Sequence, residues 1–147
     1  NSITESGAAF AALKDSGEVV TWGIADYGGD CSAVADWLSS GVSSITGGRD
    51  AFAALKFTGE VVSWGHADMG GDCSAVADRL ATGVSSIAGG ACAFAALKDG
   101  GEVLTWGDAD KGGDCTFVAD RLALGVNSIV ASRYGHAFAA LAYDAPS

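Results

Sequence analysis

The sequence predicts a mainly β fold with short helices, laid out as three and a half tandem β-β-β-α repeats. Three observations predict it. The stretch AFAALKDSGEVVTWG (Ala9 to Gly23) returns as AFAALKFTGEVVSWG (Ala51 to Gly65) and AFAALKDGGEVLTWG (Ala93 to Gly107), with a clipped AFAAL at Ala137 to Leu141. Trp22, Trp64 and Trp106 recur at intervals of 42 residues, and so do Cys31, Cys73 and Cys115. Within each interval the apolar period changes from 2 to about 3.6. The chain reads as one repeat domain over 1–147, with repeats 2–43, 44–85 and 86–127 and a half repeat at 128–147.

Each repeat opens on a short strand: Ser2-Ile3-Thr4, Ser44-Ile45-Thr46, Ser86-Ile87-Ala88 and Ser128-Ile129-Val130. The strand AFAAL follows, with Phe10 and Ala12 on one face and Ala11 and Leu13 on the other. Gly17, Gly59 and Gly101 supply the positive φ that a hairpin turn needs. The third strand, EVVTW, EVVSW or EVLTW, is rich in β-branched residues. A loop, IADYGGD, HADMGGD or DADKGGD, leads into CSAVADWLSSGV and its counterparts, where Val34, Leu38 and Val42 fall at i, i+4 and i+8. That spacing predicts an amphipathic helix. Asp30, Asp72 and Asp114, or Ser32, Ser74 and Thr116 two residues on, stand where an N-cap belongs, and Gly41, Gly83 and Gly125 where a C′ glycine belongs. In the last copy Ile129 and Phe138 are nine residues apart instead of seven, the mark of a terminal cap.

A chain of 147 residues can bury about 70% of its unfolded surface without metal or disulfide staples. Its 18 acidic and 8 basic residues give a net charge of -10, which repels phosphate backbones and anionic lipid surfaces. Nucleic acid is therefore not expected as a partner. No apolar run approaches the ~20 residues of a membrane span. Asn1 already lies in repeat register, so a processed N-terminus is expected, compatible with organellar import or secretion. Three of the four cysteines occupy one repeat position, which repeat duplication explains better than a disulfide framework.

The pattern V-x-x-I-x-x-G-x-x-x-F-A-A-L-K-x-x-G-E-V-V-x-W-G resembles the repeat of the regulator of chromosome condensation (RCC1) family. Ala12-Leu13, Gly17, Val19, Trp22-Gly23 and Tyr27-Gly28 fall on the family pattern, as do their counterparts in the later repeats. The resemblance implies propeller-like antiparallel blades with the tryptophan packed between neighbours. This repeat is shorter than the family's. It carries Ala where the family has His before the A-L core, and it reads as helix after G-G-D. Three and a half repeats cannot close a seven-bladed ring, so an incomplete ring or open arc is expected. Short repeats of this kind also resemble those in large proteins of marine bacteria and algal protists.

Each candidate chemistry has a simpler counterpart. D-x-x-G-G-D occurs three times, and Asp108, Asp110 and Asp114 together resemble a calcium loop, because hard cations want clustered oxygens. The distal Glu of such a loop is missing, and turn shaping by the first Asp with capping by the second accounts for the residues. Cys31, Cys73 and Cys115 lie at helix starts, where a thiol pKa can fall. The only histidines, His66 and His136, do not recur with them, so packing is the better reading. Three Cys on one metal would need a tight three-fold axis. The tryptophans could stack sugars, yet an aromatic at a fixed repeat position most often fills the core between repeats.

What varies between repeats is more informative. Large apolar residues occupy variable positions at Ile24, Tyr27, Trp37, Phe57, Met69, Phe117, Leu124 and Tyr134. Trp37 corresponds to Arg79 and Arg121, and Phe57 to Asp15 and Asp99. Positions that accept Arg or Asp are exposed positions, so Trp37 and Phe57 are expected on the surface as protein contacts. Ile24, Tyr27, Met69 and Tyr134 complete the candidate partner-binding set. No nucleophile, base and orienting group recur together, so the expected function is non-enzymatic and needs no cofactor. It is a scaffold or accessory subunit of a larger assembly, in one version an extrinsic subunit of an organellar photosynthetic membrane complex. The alternatives are a calcium- or carbohydrate-binding module and, more weakly, guanine-nucleotide exchange by analogy with the family's namesake.

Overall fold

A computed structural model describes residues 2–114, 125–131 and 137–142. Each of the first three repeats forms a three-stranded antiparallel meander. The first contains β1 (Ser2–Glu5), β2 (Ala9–Leu13) and β3 (Val19–Gly23). The second contains β4 (Val42–Gly47), β5 (Ala51–Lys56) and β6 (Val61–Gly65), and the third β7 (Val84–Gly89), β8 (Ala93–Lys98) and β9 (Val103–Gly107). The half repeat pairs β10 (Val126–Ala131) with β11 (Phe138–Ala142). The result is a row of blades stacked face to face, mainly β and open, with no sheet joining the first blade to the last among the described residues.

The register explains which side chains meet. Phe10 faces Trp22, Ala12 faces both Ile3 and Val20, and Leu13 faces Val19. Period 2 then places Ile3, Phe10, Ala12, Val20 and Trp22 on one face of the blade and Ala9, Ala11, Leu13 and Val19 on the other. Later blades repeat this pairing, with Phe52 opposite Trp64 and Phe94 opposite Trp106. Alanine is a weak strand former, yet it fills the central strands because blades press on both of their faces. Ala51, Phe52, Ala53 and Ala54 are all fully buried.

The core is therefore the same interface built repeatedly. Ala9, Ala11, Leu13 and Val19 of the first blade, with Leu38 and Val42, pack on Phe52, Ala54, Val62 and Trp64 of the second. Ala51, Ala53 and Val61, with Leu80 and Val84, pack on Phe94, Ala96, Leu104 and Trp106 of the third. Ala95, Leu97, Val103 and Val126 meet Ile129 and Phe138 of the half blade. The chain's own linkers tie the blades at their hairpin ends, where Val42 and Val84 donate N–H to the carbonyls of Gly17 and Gly59.

The amphipathic helix is shorter than its sequence period predicts. Residues Ser32–Val34 form a 3-10 turn, α1 covers only Ala35–Leu38, and Val42 opens β4. The second repeat keeps a 3-10 turn at Ser74–Val76 and continues in turns without an α-helix. Gly41, at φ 77°, turns the chain out of the helix so that Val42 can reach the Gly17 carbonyl. Val34, Leu38 and Val42 still gather in one cluster, so the spacing correctly named a buried stripe and overstated the helix. The corresponding helix of the third repeat, the final spacing of Ile129 to Phe138 through 132–136, and the tail 143–147 lie outside the described residues.

Asp30 and Asp72 cap as expected, one residue ahead of the formal cap position. Their Oδ1 atoms accept the backbone N–H of Ser32 and Ser74, each at 2.9 Å. The Ser32 N–H and hydroxyl hold the Asp30 carboxyl below its ordinary value of 3.8, and the hydroxyl and N–H of Ser74 do the same for Asp72. A folded-state pKa below the unfolded one contributes stability above the unfolded pKa. That contribution disappears as pH falls through the depressed folded value. Melting midpoints recorded across acid pH should show this loss below pH 3.8. The double variant D30N/D72N keeps the acceptors but not the titration, and its acid limb should be flatter.

Candidate interaction surface

The candidate contact residues fall at two ends of the blades. Trp37 lies on α1 and Phe57 in the β5–β6 turn, where its N–H donates to the Gly41 carbonyl, so both sit towards the hairpin-turn end. Trp37 is 50% exposed and Phe57 80%. Ile24 and Tyr27 follow β3 at the opposite end, as Met69 follows β6. Ile24 is exposed, while Tyr27 and Met69 are half-buried. Tyr27 stacks on His66 of the next repeat, with ring centroids 6.0 Å apart and planes within 15°, and its carbonyl accepts the Ser6 hydroxyl. The structure thus brings Trp37 and Phe57 to one end, and Ile24 and Tyr27 to the other. Tyr134, Phe117 and Leu124 lie outside the described residues.

The acidic loops are occupied with their own backbone. Asp108 Oδ1 accepts the N–H of Asp110 at 3.0 Å, closing the 3-10 turn Ala109–Lys111, and Asp114 follows that turn. Asp26, Asp30 and His66 line a shallow cleft between the first two repeats, with Ala25, Gly65 and Ala67. His66 Nδ1 is buried there without a hydrogen-bond partner. Among the described residues no group of three or more His, Cys, Asp and Glu side chains is placed to hold a metal ion. Cys31 and Cys73 are free thiols packed beside Val34 and Val76, and Cys92 is free and fully buried. Cys115 lies outside the described residues.

The tryptophans divide in a way the repeat pattern does not announce. Trp64 and Trp106 are each 4% exposed, and each indole N–H donates to a carbonyl of the preceding repeat, Gly28 at 3.1 Å and Gly70 at 3.0 Å. Both are core residues and cannot serve as a stacking platform. Trp22, expected between repeats like the others, is 45% exposed, and Phe10 beside it 41%. Trp22 is exposed because no blade packs on its face among the described residues. Ile3, Phe10, Val20 and Trp22 form an exposed apolar face, of which the sequence led only Trp22 to be expected between repeats.

The serine or threonine before each tryptophan was also silent in the sequence. Thr21, Ser63 and Thr105 donate their hydroxyls to the carbonyls of Gly29, Gly71 and Gly113, fixing the G-G turn against its own blade. That turn then presents the carbonyl which the next tryptophan uses. Gly28 must be glycine, because it sits at φ 108° and a Cβ there would lie 2.5 Å from the Phe52 ring.

These blades define an open array of the β-propeller kind. No protein-family description and no curated protein matches the sequence. Solved structures do. The chain is similar to Prp20p, the RCC1 of Saccharomyces cerevisiae, with a TM-score of 0.59 and 18% identity over 88% of this chain and 40% of that one. It is similar to human WBSCR16, at a TM-score of 0.55 and 19% identity, covering 87% of this chain and 42% of that one. The CRINKLY WD40 ectodomain of the Arabidopsis thaliana receptor kinase ACR4 gives a TM-score of 0.56 at 17% identity, over 99% of this chain and 53% of that one. At these identities the likeness is one of fold. The chain spans about half or less of each neighbour's length.

Proposed function

We propose that the chain is a non-enzymatic docking module, a scaffold or accessory subunit within a larger protein assembly, with an RCC1-like repeat. The observation that carries this reading is the exposure of Trp37 and Phe57 at the hairpin-turn end, where sister repeats carry Arg79 and Asp99. An exposed indole and an exposed phenyl ring on a rigid scaffold are typical anchors of protein interfaces. The propeller-like fold supports the reading, since Prp20p is described with binding to Gsp1p and histones and with Kap60. No helix among the described residues is long and apolar enough to cross a membrane. The finer version is an extrinsic subunit of an organellar photosynthetic membrane complex, which co-purification tests directly.

The test pairs particle mass with two conservative-for-the-repeat substitutions. W37R and F57D install residues that sister repeats already carry, so each should change stability by no more than about 0.5 kcal/mol. The gently purified native particle should exceed the mass of the lone chain by light scattering, with defined companions by mass spectrometry. The double variant should lose those companions while melting like the parent. A native particle of 14.6 kDa would contradict the proposal, as would a double variant that keeps every companion.

A further inference from the structure

We propose that the Glu60 carboxylate, at the hairpin-turn end, receives an arginine side chain from the docking partner, with the guanidinium stacked on the Trp37 indole. This rests on the reading of Trp37 and Phe57 as a docking site and adds the chemistry of the partner. The chain carries its own template one repeat later. Arg79, in the linker after the second blade, pairs with Glu102 of the third. Lys98 Nζ donates to the Arg79 carbonyl at 2.6 Å. Trp37, Lys56 and Glu60 stand 42 residues before Arg79, Lys98 and Glu102.

The two frames match bond for bond. Phe57 N–H meets the Gly41 carbonyl at 2.9 Å, and Asp99 N–H meets the Gly83 carbonyl at 2.8 Å. Lys56 and Lys98 lay their Cε atoms 3.6 and 3.5 Å from a Cβ placed on Gly41 and Gly83. Leu38 and Leu80, next to Trp37 and Arg79, are each 1% exposed. What differs is the cation. Of the equivalent glutamates Glu18, Glu60 and Glu102, the first pairs with Lys14 at 2.7 Å and the last with Arg79. Among the described residues the Glu60 side chain makes no hydrogen bond or ion pair. Lys56 precedes it by four residues, as Lys14 precedes Glu18, but its stem lies against the linker at Gly41. A half-buried carboxylate without a cation thus shares the frame with a half-exposed indole. A guanidinium suits both, because it stacks on an aromatic face and forks onto a carboxylate, whereas an ammonium is a hydrated point charge. Phe57, at the place of Asp99, adds apolar surface for the methylene stem of such a side chain. The net charge of -10 also favours a basic partner.

The test titrates the whole chain with the peptide acetyl-Gly-Arg-Gly-amide and follows the indole N–H resonances by NMR. Trp37 should shift saturably, with a Kd on the order of 1 mM, while buried Trp64 stays in place. E60Q should raise that Kd about five-fold while melting like the parent. The same peptide with citrulline, which keeps the shape and loses the charge, should not saturate. A Trp37 that does not shift overturns the proposal, as does a citrulline peptide or an E60Q chain that binds equally well. In the native particle, E60Q should weaken the hold on the companions about ten-fold. Companions that survive E60Q but leave the W37R/F57D chain would overturn the arginine seat and leave the docking site standing. Companions that survive all three substitutions would overturn both.

Discussion

Gly70→Ala is expected to destabilise the fold by about 4 kcal/mol. Two costs add. Gly70 sits at φ 103°, where an L side chain is strained by about 1–3 kcal/mol. The new Cβ would also lie 2.5 Å from Phe94 Cδ2 and 2.6 Å from Cε2, and Phe94 is fully buried with no room to retreat. Overpacking of this kind costs about 1–3 kcal/mol more. Gly100→Ala is the control, because nothing lies within 4 Å of a Cβ placed there and its backbone is not left-handed. It should be neutral or stabilise by up to about 1 kcal/mol through the unfolded chain. Denaturant midpoints for the two variants decide the matter.

Trp64→Ala is expected to cost about 4–5 kcal/mol, and Trp22→Ala about 1 kcal/mol. The two residues occupy the same repeat position and make the same stack with phenylalanine. Trp64, however, is buried between blades, and its removal leaves both a cavity and the Gly28 carbonyl without its indole donor. Trp22 loses chiefly its stack on Phe10. Trp106→Ala should behave like Trp64→Ala, for Trp106 is equally buried and donates to Gly70. A difference of about 3 kcal/mol between identical substitutions at equivalent positions measures the neighbour and not the residue.

That contrast also marks how far the sequence could be read. Strand and turn positions were legible because they are local. The alternation in AFAAL fixes the faces, and Gly17, Gly59 and Gly101 do take positive φ at the hairpins. The exposure of Trp37 and Phe57 was legible too, from Arg and Asp at the sister positions. What depends on a second segment was not. The burial of Trp64 between repeats was expected, but the exposure of Trp22 was not, because it follows from there being no preceding blade among the described residues, which identical local sequences cannot encode. The short α1 follows from the bond between Val42 and Gly17 across the linker. The bulge between Val42 and Ser44, where Ser43 donates its hydroxyl to the Leu55 carbonyl at 2.9 Å, leaves no periodic trace. The candidate contacts share no single patch, because the alternate ends of each blade receive loops from different parts of the repeat.

Docking of a tryptophan onto the glycine turn of the preceding repeat holds the blades together at Trp64 and Trp106, while Trp22 is exposed. Hydrogen exchange of the four indole N–H groups, followed by NMR, tests it most directly. Trp64 and Trp106 should be protected to the level of the core strands, and Trp22 and Trp37 should exchange rapidly. A Trp22 as protected as Trp64, or a Trp64 that exchanges as fast as Trp37, would contradict the claim.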